Sequence, residues 1–281
     1  MSGTLFLVAT PIGNLEDITL RALRVLREAD VIAAEDTRRT AKLLTHYAIS
    51  TPTVSFHEHN SRTRLPQLLA RLERGERVAL VSDAGTPGIS DPGVELVRRC
   101  AERGMAVNPL PGASAPVVAV VASGFPTNPL TVFGFPPNRP GALRTWLRQL
   151  SSIPHTVVFF EAPHRVRQTL RAAADELGVR PIMVARELTK VHQQLLRGTA
   201  ADIFGRLTAP LGEFTIVVGP ASVDPSAEII VNDLDLMADF DRSAGTGQLR
   251  RRQVVARLAR KYGRSTNEIY AALERAKNSG I

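Results

Sequence analysis

Between residues 5 and 218, short β-rich apolar runs alternate with amphipathic helical stretches, and several of the runs end in loops built from Gly, Pro and a carboxylate. That alternation leaves a chain few options, because strands buried between helices form a largely parallel sheet whose crossovers cover both faces. In the first half the expected strands are Leu5–Ala9, Val31–Ala34, Thr53–Phe56, Arg77–Ser82 and Ala106–Leu110. The expected helices are Ile18–Glu28, Leu65–Arg74, Val94–Arg103 and Ser114–Ser123, with Gly75 and Gly104 placed to end two of them in the left-handed conformation. The fold class is α/β.

Five prolines (Pro126, Pro129, Pro136, Pro137 and Pro140) mark a boundary, giving a first α/β domain over 1–124 and a second over 125–222. The second is expected to hold strands Thr131–Phe135, Thr156–Phe160, Ile182–Ala185 and Thr215–Val218, with helices Ala142–Leu150, Val166–Leu177 and Ala200–Leu207. A polar, acidic linker follows over 223–241. The tail, 242–281, reads as two short helices, Gln248–Tyr262 and Thr266–Lys277, with Ser265 and Glu268 forming a capping box between them. The pair resembles a helix-turn-helix unit.

Charge separates the tail from the body. The chain of 281 residues carries +8, and residues 242–281 hold ten Lys or Arg against Glu268 and Glu274, so the body is neutral. A neutral body with a basic tail favours nucleic acid as a partner over a merely solvated basic helix. Hydrophobic residues at 44% and charged residues at 22% exclude disorder, collagen and coiled coil as descriptions of the whole. The longest nearly apolar stretch, Ala113–Phe125, contains a proline and is too short to span a bilayer. No basic segment precedes the first apolar run, and Cys100 alone makes no internal disulfide, so the cytosol is the expected compartment. Cys100 itself reads as structural.

The sequence lacks GxxxxGK[ST], GxGxxG, HExxH, CxxC and GxSxG, which counts against phosphate-loop NTPases, dinucleotide dehydrogenases, zinc proteases and common serine hydrolases. Four strand-end loops stand out instead: Thr10–Asn14, Ala34–Arg38, Ser82–Gly93 and Pro109–Ser114. In open α/β sheets ligands bind outside the carboxyl ends of the strands, where all four would lie. The third joins Asp83 to a Gly/Pro turn with no cationic phosphate anchor, which suits a zwitterionic or hydroxyl-rich ligand better than a triphosphate. Each loop taken singly reads equally well as a tight turn serving the fold.

Taken together and in order, TPIGNLED, AEDTRRT, SFHEHN, VSDAGTPGISDPG, PLPGAS, FFEAPHR and ARELTK resemble the small-subunit ribosomal RNA cytidine 2′-O-methyltransferases, the methyltransferase I family of the tetrapyrrole methylase superfamily. The resemblance covers roughly residues 4–219. It implies two α/β domains with S-adenosyl-L-methionine in the cleft between them, a homodimer, and methylation of a ribose 2′-hydroxyl in 16S ribosomal RNA or the 30S subunit. Tetrapyrrole-methylating relatives usually carry a GxGPGD-like run after the first strand. Thr10–Asn14 replaces it here, which favours the RNA branch.

The resemblance assigns Pro11 and Gly13 to the floor of the donor cleft and Asp83, Ala84 and Gly85 to the methionine or ribose part. It assigns the helix N-terminus at Ala113 and Ser114 to the donor as well, with Phe160, Glu161, Glu187 and Thr215 near the adenine end. The chemistry is an in-line displacement that needs alignment and help in removing a hydroxyl proton. Glu35 and Asp36 are adjacent carboxylates, one able to accept a proton while the other holds Arg38; Lys190 could lower the hydroxyl pKa electrostatically. No metal is needed. His57 and His59 with Asn60 suit substrate hydrogen bonding better than a metal site, which would lack a third ligand. Asn14, Arg38, Arg250, Arg251 and Arg252 are further RNA-facing candidates. Glu161, His164 and Arg165 either hold RNA phosphate or cap the following helix, and Trp146 is more readily packing than a base stack. The competing readings are a tetrapyrrole or protein side-chain methylase on the same fold, and a non-catalytic RNA-binding factor.

Overall fold

The computed structural model describes residues 3–88, 93–207, 211–221, 236–237, 240–241, 251–262 and 265–279. It divides into two compact units, Met1–Ser222 and Val223–Ile281.

In the first unit, strands β1 (Thr4–Val8), β2 (Val31–Ala34), β3 (Thr53–Ser55), β4 (Arg77–Val81) and β5 (Ala106–Leu110) form one sheet in the order β3-β2-β4-β1-β5. Every pairing is parallel, so all the carboxyl ends open on one edge. Near-continuous apolar strands such as Val31–Ala34, buried along their whole length, require cover on both faces. Helices α1 (Leu20–Glu28) and α2 (Thr37–His46) cover one face through Leu23, Leu26, Leu43 and Leu44. Helices α3 (Ser61–Glu73) and α4 (Gly93–Glu102) cover the other through Leu68, Leu72, Leu96 and Cys100.

The strands of the second sheet all follow residue 124: β6 (Leu130–Val132), β7 (Thr156–Glu161), β8 (Ile182–Arg186), β9 (Gln194–Gly198) and β10 (Phe214–Val218), in the order β6-β7-β10-β8-β9. Only β6 and β7 run parallel; the rest of the ladder is antiparallel. Helices α6 (Pro140–Ser151), α7 (Val166–Leu177) and α8 (Ala200–Arg206) bury one face. Helix α5 (Ala115–Ser123) leaves the first sheet and packs Ala119 and Val120 on the second sheet's other face, beside Ile12 and Leu188. This shared core locks the loop after β1 against the second sheet. Each fully buried Leu, Ile or Phe side chain here contributes about 1.5–3 kcal/mol.

One α-helix and one strand were not expected from the sequence. Helix α2 starts at the N-cap Asp36, whose side chain accepts the Arg38 amide at 2.8 Å. Strand β9 is a half-exposed edge strand without clear alternation. In the other direction, the strand expected over Thr131–Phe135 stops at Val132, and Phe135 instead reaches the cleft described below.

The second unit contains helices α9 (Arg251–Tyr262) and α10 (Thr266–Ser279). Leu236, Val254, Val255, Leu258, Ile269 and Leu273 form its own core. The capping box is present: Ser265 Oγ accepts the Glu268 amide at 3.2 Å, and a Glu268 carboxylate oxygen accepts the Ser265 amide at 2.6 Å. Residues 248–250 of the expected first helix, Arg250 included, and most of the expected linker lie outside the described residues.

Candidate functional site

The carboxyl ends of β1, β4 and β5 are laced together. Thr10 and Gly85 exchange backbone hydrogen bonds of 2.9 and 3.0 Å, and Thr10 Oγ1 donates to the Ser82 carbonyl at 3.0 Å. Thr86 Oγ1 donates to the Ala113 carbonyl at 3.2 Å. Gly85 has φ +82, a backbone state that disfavours any side chain, and a Cβ there would lie 3.3 Å from Ile12. The turn therefore stays bare on the side facing the second sheet's core.

A second lacing joins β2 to β4. The Asp83 amide donates to Glu35 Oε2 at 3.2 Å, while Asp83 Oδ1 accepts the Asp36 amide at 2.9 Å. Arg39 Nη1 stands 3.5 Å from the other Asp83 oxygen. Asp36 faces the other way. Its carboxylate accepts from Arg38 Nε and Nη2 at 3.1 and 2.9 Å, and these bonds, with the Arg38 amide, hold its pKa down at about 2.

These loops form one wall of a cleft of about 360 Å³. Glu35, Arg39, Asp83–Thr86 and Ser114–Pro116 line it from the first sheet's side; Phe135, Phe160–Pro163, Leu188 and Glu213–Thr215 line it from the second. Glu35, Asp83 and Glu213 bring carboxylates to the lining and, among the described residues, Arg39 is the lining cation, beside Asp83; Glu161 contributes from below, its side chain buried. The rings of Phe135 and Phe160 stand 5.6 Å apart on one wall. Helix α5 opens on the cleft, and its N-cap Ser114 makes no side-chain capping bond. Amides of a helix's first turn have no intrahelical partner and favour an anion. Among the described residues, no group of three His, Cys, Asp or Glu could hold a metal ion.

A family model for tetrapyrrole (corrin/porphyrin) methylases matches residues 4–203. A protein of Halalkalibacterium halodurans named "Ribosomal RNA small subunit methyltransferase I" is 49% identical over 218 residues, covering 77% of this chain and 75% of its own. One of the same name from Streptococcus pyogenes serotype M3 is 40% identical over 271 residues, covering 96% and 94%. The chain belongs to the ribosomal RNA small subunit methyltransferase I family of the tetrapyrrole methylases. Members of that superfamily use S-adenosylmethionine. The same fold occurs in a solved uroporphyrin-III C-methyltransferase of Thermus thermophilus complexed with S-adenosyl homocysteine, at TM-score 0.54 and 18% identity, covering 77% of this chain and 97% of that one.

In this chain, Asp83, Ala84, Gly85, Ser114, Phe160, Glu161 and Thr215, all assigned to the donor by resemblance, line the large cleft, as does Glu35. Other assigned residues stand elsewhere. Pro11 lines a smaller neighbouring cavity, and the Ala113 carbonyl is taken up by Thr86. Gly13 packs under the loop between β8 and β9; a Cβ there would meet Lys190 Cγ at 2.5 Å and the Leu188 carbonyl at 2.6 Å. Lys190 and Glu187 belong to that loop. Lys190 Nζ donates to Glu187 at 2.8 Å and to Glu213 at 3.2 Å. Desolvation works against both charges, but the Lys190 hydrogen bond holds Glu187 below its ordinary pKa, and the two carboxylates hold Lys190 above its own.

The RNA-facing candidates are scattered. The Asn14 amide donates to Thr189 Oγ1 at 3.1 Å, and its side chain caps the short helix that follows. Asn60 accepts the His57 amide at 2.9 Å and donates to Ser55, bracing the end of β3; His59 is exposed. The Glu161 side chain is fully buried and accepts from Thr169 Oγ1 and the Ala162 amide, with Arg165 at 3.5 Å. Arg165 also donates to the Pro136 and Pro137 carbonyls at 2.9 Å, while His164 is exposed. Trp146 packs edge-on between Phe133 and Phe159. In the tail, Arg251 pairs with Glu274 at 3.2 Å and Arg252 is exposed.

Sequence reasoning missed Arg39, Phe135, Leu188, Glu213 and Phe214 in the cleft. Arg39 had a signal, since AEDTRRT carries both its helix cap and its neighbours. Glu213 is brought in by strand pairing across β10 and β8, which no local pattern announces. Arg180 was missed too. It is buried and donates to the carbonyls of Leu150, His155 and Gly219, closing the base of the second sheet.

Proposed function

We propose that the protein transfers a methyl group from S-adenosylmethionine to the ribose 2′-hydroxyl of a cytidine in small-subunit (16S) ribosomal RNA, with the donor in the cleft between the two sheets. The observation that carries this is the lining of that cleft, where the strand-end carboxylates Glu35 and Asp83 stand with Arg39 as the lining cation among the described residues. Such a site repels polyphosphates and attracts a ligand bearing a sulfonium and an ammonium.

The remaining donors and walls fit the same ligand. Asp83 offers carboxylate oxygens oriented by the Asp36 amide, and the start of α5 offers amides to a carboxylate. Phe160 and Phe135 offer apolar faces to a flat base. The bound sulfonium supplies a methyl that is already electrophilic, so the protein has to orient the hydroxyl and accept its proton. Glu35 lines the cleft and accepts the Asp83 amide, and we assign it the role of base. Asp36 is a poor proton acceptor with its pKa at about 2, and its role is to clamp Arg38 and start α2. Lys190, doubly paired, holds Glu187 and Glu213 in place.

In this reading residues 1–124 and 125–222 are the two halves of the catalytic body, 223–241 is a linker, and 242–281 is an RNA-binding tail. The working form is a homodimer acting on the 30S subunit in the cytoplasm. No helix among the described residues is long and apolar enough to cross a membrane. The test is ribose-methylation mapping of 16S RNA from a strain lacking the protein, with restoration in vitro by the purified chain and labelled donor. Loss and recovery of one cytidine 2′-O-methyl group is expected. A complete methylation pattern in the deletion strain would overturn the assignment.

A further inference from the structure

Beside the large cleft lies a second cavity of about 200 Å³, and the two share the side chains of Arg39, Ser82 and Asp83 as a common wall. Its far side is apolar, made by Pro11, Leu15 and Leu43. Its rim carries Lys42, exposed on α2 one turn beyond Arg39. Among the described residues no carboxylate pairs with Lys42, whereas Arg38, Arg39 and Lys190 all have acidic partners. The cavity thus combines an apolar slot, a guanidinium plane and an unneutralised ammonium.

We propose that this cavity is the subsite for the target nucleotide of a single-stranded RNA segment, with the base in the slot and its phosphate on Lys42. The proposal rests on the function proposed above and locates its acceptor. RNA is read mostly where bases are unstacked and splayed onto aromatic, apolar or Arg surfaces, because the grooves of a paired helix hide them. A nucleotide held here has its ribose against the shared wall, next to Asp83 and the Glu35 that accepts the Asp83 amide. Glu35 and Asp83 disfavour phosphate in the cleft, and the cavity beside it offers Lys42, which has no acidic partner among the described residues, to receive one. The division of charge keeps donor and acceptor in separate places on either side of Asp83.

The test uses the full chain, with small subunits as acceptor and calorimetry for the donor. Lys42→Gln is expected to raise KM for the subunit about tenfold, to leave donor affinity unchanged, and to lower the slope of log affinity against log salt by about one. Leu15→Trp fills the slot without touching the cation; it is expected to lower kcat/KM for the subunit with the donor constant again unchanged. Melting temperatures establish that both variants are folded. Folded variants with wild-type KM and salt slope overturn the subsite while leaving the methyltransferase reading intact. Weakened donor binding in both variants also overturns it, since the cavity then belongs to the donor. A wild-type chain that methylates no ribosomal RNA removes the function and the subsite together.

Discussion

Glu35 and Asp83 hold one another across the carboxyl ends of β2 and β4: the Asp83 amide donates to Glu35 at 3.2 Å, and the Asp83 carboxylate in turn fixes the amide of Asp36, the residue after Glu35. Neither carboxylate moves without the other's backbone. The adjacent strands are parallel and in fixed register, Ala34 opposite Val81, so the first residues past each strand end must meet. The pair makes a proton acceptor and a donor-binding carboxylate parts of one hydrogen-bonded unit.

Replacing Asp83 therefore does two things. Asp83→Ala removes a carboxylate from the cleft and leaves the Asp36 amide without its acceptor. We expect S-adenosylmethionine to bind at least about tenfold more weakly, about 1.4 kcal/mol, by calorimetry on folded protein. Undiminished donor affinity would exclude this loop from the donor site.

Glu35 and Asp36 separate by which quantity changes. Glu35→Gln keeps the shape and a hydrogen-bond acceptor but takes no proton at neutral pH. We expect turnover to fall by about 10²–10⁴ with donor affinity nearly kept. Asp36→Ala instead removes a helix cap, so about 0.5–2 kcal/mol of stability should be lost, with a smaller change in turnover. Chemical denaturation and single-turnover kinetics on the two variants decide between these roles; equal turnover for Glu35→Gln and the wild type would give the proton to another acceptor.

The motifs were legible in the sequence because they sit on backbone that only Gly, Pro or a capping residue can supply, such as Gly85 at φ +82. The parallel strands were legible because Val31–Ala34 and Arg77–Val81 are apolar at nearly every position. Helix α2 was not, since its polar first turn, Thr37-Arg-Arg-Thr40, looks like a loop until Leu43 and Leu44. Which charges remain unpaired was equally hidden. Lys190 read as a charge that lowers the hydroxyl pKa and Arg165 as a holder of RNA phosphate or a helix cap, yet their partners, Glu213 and the carbonyls of Pro136 and Pro137, arrive from distant sequence.

Gly13 supplies a packing prediction. A methyl group there would press on the Leu188 carbonyl at 2.6 Å, and a backbone atom cannot turn aside as a side chain can. Gly13→Ala should cost about 1–3 kcal/mol by denaturant titration and loosen the loop carrying Lys190. A stability equal to wild type would mean that the loop between β8 and β9 shifts freely.

Burial makes Cys100 inert: its side chain is wholly inside, and desolvation, opposed by Arg103, pushes its thiol pKa up to about 11. The thiolate is the reactive form, and raising the pKa empties it at neutral pH. An aromatic disulfide reagent should leave the native thiol unmodified at pH 7 to 8 and titrate one equivalent in denaturant. Fast native modification would place Cys100 at an open surface.

The tail carries the last expectation. Its core residues come from within 236–276, and those of the body from within residues 5–218. All of the net charge of +8 lies in 242–281. Binding to RNA through such a segment releases counterions, so its contribution is largest at low salt and shrinks as salt rises. The truncated protein should bind donor as the full chain does, bind small subunits more weakly, and show a shallower salt dependence. Arg251→Gln with Arg252→Gln should reproduce part of the loss, Arg252 more than Arg251, because Arg251 is already paired with Glu274. If the tail only stabilises the body, the truncated chain melts lower but binds subunits equally well. Measuring melting temperature and subunit affinity on one preparation across a salt series distinguishes the two, and equal affinity at every salt concentration ends the RNA-binding reading of the tail.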